Sequence, residues 1–287
     1  MALIVPGMPV AGRRFGIHAR GGRWFARSIV AAAVLAVAVA LLSPLFVPES
    51  TVTSDIVHSL QPPSWTHWFG TDDQGRDVFW RVVAGTRYSL LSTLVVVAAY
   101  SLIGALVAAI AAFGGKLLDE ALMRFTDAVM AIPTIVFALG FAAALGPGLH
   151  SAIVALSITA WPVTARMLRG EIHQTLTRPY VEGARVLGVG RTRLLLRHIL
   201  PNSLDALVVK WGADVGSTVL VISGLSFIGV RPQPPSPEWG AMVSEGSGYI
   251  SSAWWVAVFP GMAIAIVAVV FALLADVIQE RLARGRA

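Results

Sequence analysis

Six apolar runs divide the chain: Ser28 to Val47, Tyr88 to Phe113, Ala128 to Leu145, His150 to Ala165, Leu204 to Val230 and Trp254 to Ala275. Each is near the roughly 20 residues that cross a bilayer core. The runs are apolar on all sides rather than along one stripe, which favours lipid-embedded helices over buried soluble ones. The second carries no charge in 26 residues and is long enough to span with tilt. The pattern predicts an all-α membrane protein with six transmembrane helices. Residues 1–27 form an N-terminal segment, 28–47 helix 1, 48–87 an external segment and 88–279 a five-helix core. That core contains a long loop, 166–203, and residues 280–287 form a tail.

Composition then narrows the class. Apolar residues make up 56% of the 287 and charged residues 13%, against about 25% charged in an ordinary soluble domain. A soluble enzyme and a disordered linker are excluded. The net charge of +6 sits in short segments between apolar runs, which reflects topology rather than nucleic-acid binding. Cysteine is absent, so the chain holds no disulfide and no cysteine-ligated metal.

Basic residues orient the spans. Arg13, Arg14, Arg20, Arg23 and Arg27 precede the first run, and Lys116 and Arg124 lie between the second and third. Arg166, Arg169, Arg178, Arg185, Arg191, Arg193 and Arg197 lie between the fourth and fifth, and Arg281, Arg284 and Arg286 follow the sixth. The opposite segments hold only Arg76, Arg81, Arg87 and Arg231. Both termini are expected in the cytoplasm of a cell carrying this chain in its cytoplasmic (inner) membrane. Ala38-Val39-Ala40 offers a signal-peptide reading of the first run, but the run continues through Leu41, Leu42, Leu45 and Phe46.

Catalytic motifs are missing. The nearest approach to a phosphate loop, Gly183 to Gly188, has Val189 where lysine must stand. Gly246-Ser247-Gly248 reads as a flexible external turn, not a nucleophile elbow. No enzyme activity, metal or cofactor is expected in this chain. Lys210 and Asp214 are the polar pair inside the fifth run. Four residues apart on one helix face, they are placed to pair.

Two connecting segments exceed the 12–15 residues of an ordinary loop. In the internal one, Thr177 is expected to cap a short helix with Pro179 in its first turn. Gly188 is expected to end that helix in a left-handed turn. A second helix runs from about Thr192 to Ile199, before Pro201 and Asn202 turn the chain. In the external one, Asp72, Asp73 and Asp77 with Arg76, Arg81 and Arg87 make a mixed-charge patch. Gly70 and Gly75 permit tight turns there. Pro133 and Pro162 are each expected to break the hydrogen-bond ladder of a span.

Glu182-Gly183-Ala184, then Gly188, then Leu200-Pro201 resembles the "EAA" loop of ABC-importer permeases. Gly183 stands at that pattern's first alanine and His198 at its isoleucine. The stretch Phe69-Gly70-Thr71-Asp72-Asp73-Gln74-Gly75-Arg76-Asp77-Val78-Phe79-Trp80-Arg81, then Gly85 and Arg87, is similar to the signature of the C-type permease of dipeptide and oligopeptide (and nickel) importers. Trp161, Arg166, Arg169 and Gly170, and Leu225 to Gly229, Pro234-Pro235 and Trp239-Gly240 extend the likeness. Ile222 departs from it, standing where many relatives carry glutamate, and the tail lacks the family's acidic, proline-containing end.

The resemblance implies a type I ABC-importer permease with a cytoplasmic coupling helix. It implies a second, homologous permease, one or two ATPase subunits that bind the ATP and magnesium, and an extracytoplasmic solute-binding protein. Membrane lipid completes the surroundings; nucleic acid is no partner. The rival readings are an ion-driven secondary transporter, which calls for ionisable groups spread across the membrane depth, and a non-transporting anchor. Nickel or another small solute remains open beside peptides.

Overall fold

A computed structural model describes residues 21–48, 51–233 and 235–285, without the side chains at 21–23, 191, 192, 196, 198, 202 and 285. The arginines at 13, 14, 20 and 286, and Pro234, lie outside the described residues, as does the side chain of His198. Helices dominate: α1 (Gly21–Phe46), α2 (Val78–Phe113), α3 (Lys116–Met130), α4 (Thr134–Leu145), α5 (Leu149–Thr159), α6 (Trp161–Leu176), α7 (Pro179–Val186), α8 (Arg191–Leu194), α9 (Leu200–Ile228), α10 (Trp239–Ser247) and α11 (Trp255–Gly285). No strand occurs among the described residues; one isolated antiparallel bridge joins Thr71 to Asp77.

Among the described residues, five helical stretches are long and apolar enough to cross a membrane. α3 and α4 make a sixth if that bent pair is counted as one span. The apolar runs reappear with altered ends. α2 has 36 residues and begins ten positions before its run, so the last quarter of the external segment is helical. The third run is not one helix. α3 and α4 meet at an 84° bend, with Pro133 standing before the first residue of α4. The fourth run breaks at Ala160, and Pro162 sits in the first turn of α6. Both prolines therefore mark breaks in the helical ladder. α11 runs on through Gly285, so most of the expected tail continues the last helix.

α9 packs along α11, α2 along α6, and α1 against α2 and α11. Gly212 and Gly216, one turn apart on α9, face the backbone of α11 at Ala275 and Ala268. Small residues at that spacing let two helices approach without a hydrophobic drive from lipid. The main core joins Leu90, Val96 and Val97 of α2 to Val219, Ile222 and Leu225 of α9 and to Val267 and Phe271 of α11. Ile222 is fully buried there, a position where an unpaired carboxylate would cost several kcal/mol of solvation.

Candidate functional site

α7, α8 and the turn between them form a small knob that links α6 to α9. α6 ends at Leu176, where the Thr177 hydroxyl donates to the Gln174 carbonyl (2.8 Å). Thr177 therefore closes α6 instead of capping α7; Arg178 precedes α7 with extended backbone and Pro179 takes the first helical position. That place suits proline because its missing N–H has no helical partner anyway.

Gly188 adopts φ +77°. Its N–H donates to Arg185 O (2.9 Å) and the Val189 N–H to Ala184 O (3.1 Å). These two bonds define a Schellman C-cap, in which a side chain at the left-handed position is disfavoured. The expected second helix is present over 191–199, but it does not stop there. α8 passes into a π-helical turn, Leu195–Ile199, which leads directly into α9 with Pro201 in its first turn. Pro201 thus opens the span helix rather than turning the chain, because its fixed φ is already helical.

The knob is pinned from beneath. Val181, Leu194 and Ile199 pack with Leu168 and Ile172 of α6, Ala108 of α2 and Leu207 of α9. Its outer face is bare: Tyr180, Glu182, Gly183, Val186 and Leu187 are exposed, the last two by 84% and 85%. Ala184 is half-buried, as is Leu200, the first residue of α9, and Pro201 beside it is exposed. A small helix with a buried inner row and an exposed apolar outer row suits docking into another protein.

The second constellation lies at the start of α2. Asp77 caps α2, accepting from the Trp80 N–H (3.1 Å) and contacting His67 Nδ1 (2.9 Å). Arg76, Arg81 and Asp72 are buried together. Arg76 Nε lies 2.7 Å and Arg81 Nε 3.3 Å from Asp72 Oδ2. Arg81 also donates to Thr51 O (3.3 Å) and Pro235 O (3.2 Å). Glu245 of α10 faces both arginines, 3.9 Å from Arg76 and 3.7 Å from Arg81. Burial pushes the Glu245 carboxyl above its ordinary range against the pull of those arginines.

The signature glycines serve this close packing. A Cβ at Gly75 (φ +73°) would sit 1.7 Å from Asp55 O. Gly85 leaves room for the Trp239 ring, whose Nε1 donates to Val82 O (2.9 Å). Gly70 underlies Trp255, whose indole N–H donates to the Thr71 carbonyl (3.1 Å). The Thr71 hydroxyl donates to His58 O (2.6 Å). Arg87 is not part of the cluster: it is exposed, in a groove with Tyr88 and Pro237. The expected patch is therefore a buried clamp that joins the external segment to α10.

Two members escaped the sequence reading. Glu238 is fully buried. It caps α10, accepting from the Gly240 and Ala241 N–H groups (3.0 and 2.8 Å) and from the Ser89 hydroxyl (3.2 Å). Burial outweighs these bonds and pushes its carboxyl upward. Glu245 is the other. They are the only two acids between the fifth and sixth runs, and that was the signal available. Gly246 and Ser247, expected in a flexible turn, end α10 instead, and Gly246 abuts the backbone of Val256 and Ala257.

Lys210 and Asp214 form the expected ion pair on α9. The ammonium lies 5.5 Å from the Tyr100 ring centroid of α2, a cation–π distance.

Comparison with known proteins identifies the family and the fold. The profile of the "binding-protein-dependent transport system inner membrane component" family matches residues 101–287. The Escherichia coli (strain K12) protein DdpC, named a probable D,D-dipeptide transport system permease protein, is 41% identical over 87% of this chain and 84% of its own. The dipeptide transport system permease protein DppC of Alkalihalophilus pseudofirmus is 34% identical over 85% of this chain and 80% of its own. Among solved structures, an inward-facing form of the MetNI methionine ABC transporter aligns with a TM-score of 0.60 at 19% identity, covering 71% of this chain and 97% of that one. An amino acid ABC transporter crystallised with histidines aligns at 0.57, with 16% identity, 70% of this chain and 94% of that one. These two likenesses concern the fold.

Proposed function

The chain belongs to the family of binding-protein-dependent transport system inner membrane components and is a multi-pass membrane protein. From that premise we propose that it is the permease subunit of an ATP-driven importer for dipeptides or oligopeptides, with no catalysis of its own. Both termini and the α7 knob lie in the cytoplasm, and the Asp72–Arg76–Arg81–Glu245 clamp lies outside. α7 seats its exposed face in an ATPase subunit that binds ATP and magnesium. A homologous permease completes the pathway, and a solute-binding protein delivers substrate at the clamp side.

The observation that carries the reading is the knob itself: core-anchored by Val181 and bare at Tyr180, Glu182, Val186 and Leu187. Closure of two ATPase subunits displaces the docked knob and tilts α6, to which the knob is covalently joined. Turning a two-state element from 1:99 to 99:1 takes about 5.5 kcal/mol of differential binding. A charge-assisted contact from Glu182 supplies about 1.5–3 kcal/mol of that. The peptide assignment rests on the likeness to dipeptide transport permeases, at 34–41% identity.

Two measurements test the reading together. Gently solubilised membranes should yield an ATPase with this chain, and a strain lacking the chain should lose uptake of labelled dipeptides. Loss of nickel uptake with peptide uptake intact would replace the substrate class. Absence of any ATPase would reopen the ion-driven alternative.

A further inference from the structure

α3 is not the entrance of a straight span. Its charges fall on a helix whose apolar and polar residues are segregated, and it lies against α6. Two ion pairs fasten it there. Arg169 of α6 holds Asp119 of α3 with both ends of its fork, Nε and Nη2 each 2.5 Å from a carboxylate oxygen. Arg166 pairs with Asp127. Position 119 meets 169 and position 127 meets 166, so the helices run antiparallel at this seam. Phe125 of α3 also stacks on Trp161, the first residue of α6, with ring centroids 6.1 Å apart.

α6 is the helix that carries the knob, through the short turn at Thr177–Arg178. α3 leads through the 84° bend into α4, whose Val136, Phe137, Gly140, Phe141 and Ala144 line an open apolar groove of about 420 Å³. The chain of contact therefore runs from α7 through α6 and across the ion pairs to α3. From there it passes round the bend to α4.

We propose that Arg169–Asp119, seconded by Arg166–Asp127, is the transmission joint through which displacement of the knob moves the groove-lining helix α4. The proposal rests on the docking reading above. Arg169 and Asp119 are positioning residues: they touch neither solute nor nucleotide. The bidentate fork is what suits them to the task, because two parallel hydrogen bonds fix orientation as well as distance. A lone lysine contact would transmit position without angle.

The test is charge exchange in the complete transporter, purified with its ATPase subunits and reconstituted into liposomes. The readout is solute imported per ATP hydrolysed, which a simple loss of folded protein does not change. Asp119→Arg and Arg169→Asp should each lower that ratio about tenfold, within the range of about 5–150-fold typical of coupling energies. The ATPase subunits should still copurify. The double exchange, Asp119→Arg with Arg169→Asp, should recover the ratio to within about threefold, since it restores the pair in mirror image. Arg169→Lys should fall between wild type and the reversals. Single reversals that import at the wild-type ratio, or a double exchange no better than either single, overturn the joint. A wild-type preparation with no ATPase overturns the docking reading itself, and the joint with it.

Discussion

Arg81 and Arg87 belong to the same stretch of α2 and the structure separates them, which makes their removal a sharp test of the clamp. Arg81 is 1% exposed and touches Asp72, Glu245, and the carbonyls of Thr51 and Pro235. Arg81→Met keeps the apolar stem and deletes the fork. Removing one member of a buried ion cluster costs about 3–5 kcal/mol. Asp72 keeps Arg76 at 2.7 Å, and Glu245 remains partly open to water, so the low end applies. Two carbonyls left short of a donor add about 0.5–1 kcal/mol between them. The expected cost is about 3–4 kcal/mol. At about 2–4 °C per kcal/mol, melting in mild detergent should drop by roughly 6–16 °C. Arg81→Lys, which keeps charge without the fork, should lose about half as much. Arg87→Met, at an exposed site, should stay within about 0.5 kcal/mol of wild type. If Arg81→Met melts together with Arg87→Met, the cluster is not holding α10 to the external segment.

Other outcomes follow from single residues. Gly188→Val places a β-branched side chain at φ +77°, at a cost of about 1–2 kcal/mol. It should insert normally yet lose uptake in a whole-cell assay, since the turn fixes the angle of α7. Glu238 has a carboxyl raised by burial, so the native state holds its proton more tightly than the unfolded chain. Its contribution to stability is therefore greatest below the unfolded carboxyl value of about 4.3. It falls as pH rises through the raised native value. Melting of wild type relative to Glu238→Gln, followed across that window, should decline with pH; a flat difference would refute the shift. Pro133→Ala restores an N–H at the bend, and conformational cross-linking between α3 and α4 should change if that bend moves during transport. A cysteine at Ser64 of this cysteine-free chain should react with an impermeant thiol reagent on intact cells, and silence there would reverse the topology.

What the sequence disclosed, and what it hid, divides along a physical line. Span positions were legible because hydropathy sums over many residues. The Gly188 cap was legible because left-handed backbone selects glycine. Pro133 marked a break in the ladder, but not the 84° turn of the chain there, since Ala131, Ile132 and Pro133 are as apolar as the helices they separate. α3 was hidden for a related reason. Lys116, Glu120 and Arg124 recur every fourth residue, a helical interval, but they lie in a stretch that hydropathy reads as a loop. In the clamp, the Asp72–Arg76 pair is local and was visible. Glu245 and Glu238 were not, because their partners Arg81 and Ser89 belong to a different helix, far away along the chain. Charge distribution along a sequence shows which residues need partners, and only the fold shows which partners they find.

The bend also decides what kind of surface α4 has. Twelve residues of helix measure about 18 Å, and hydrocarbon is about 30 Å thick. α4 is therefore too short to reach both headgroup layers. If it follows the membrane normal, the interrupted backbone at Ala131–Pro133 lies beneath the lipid surface. The first N–H groups of α4 lack helical acceptors, as at the start of any helix, and lipid tails offer none. In that orientation the oily skin formed by Ile132, Ile135 and Val136, each at least two-fifths exposed, is a shoreline bordered by water or another polypeptide rather than a wall for acyl chains, and its solvent-accessible apolar area overstates its contact with lipid.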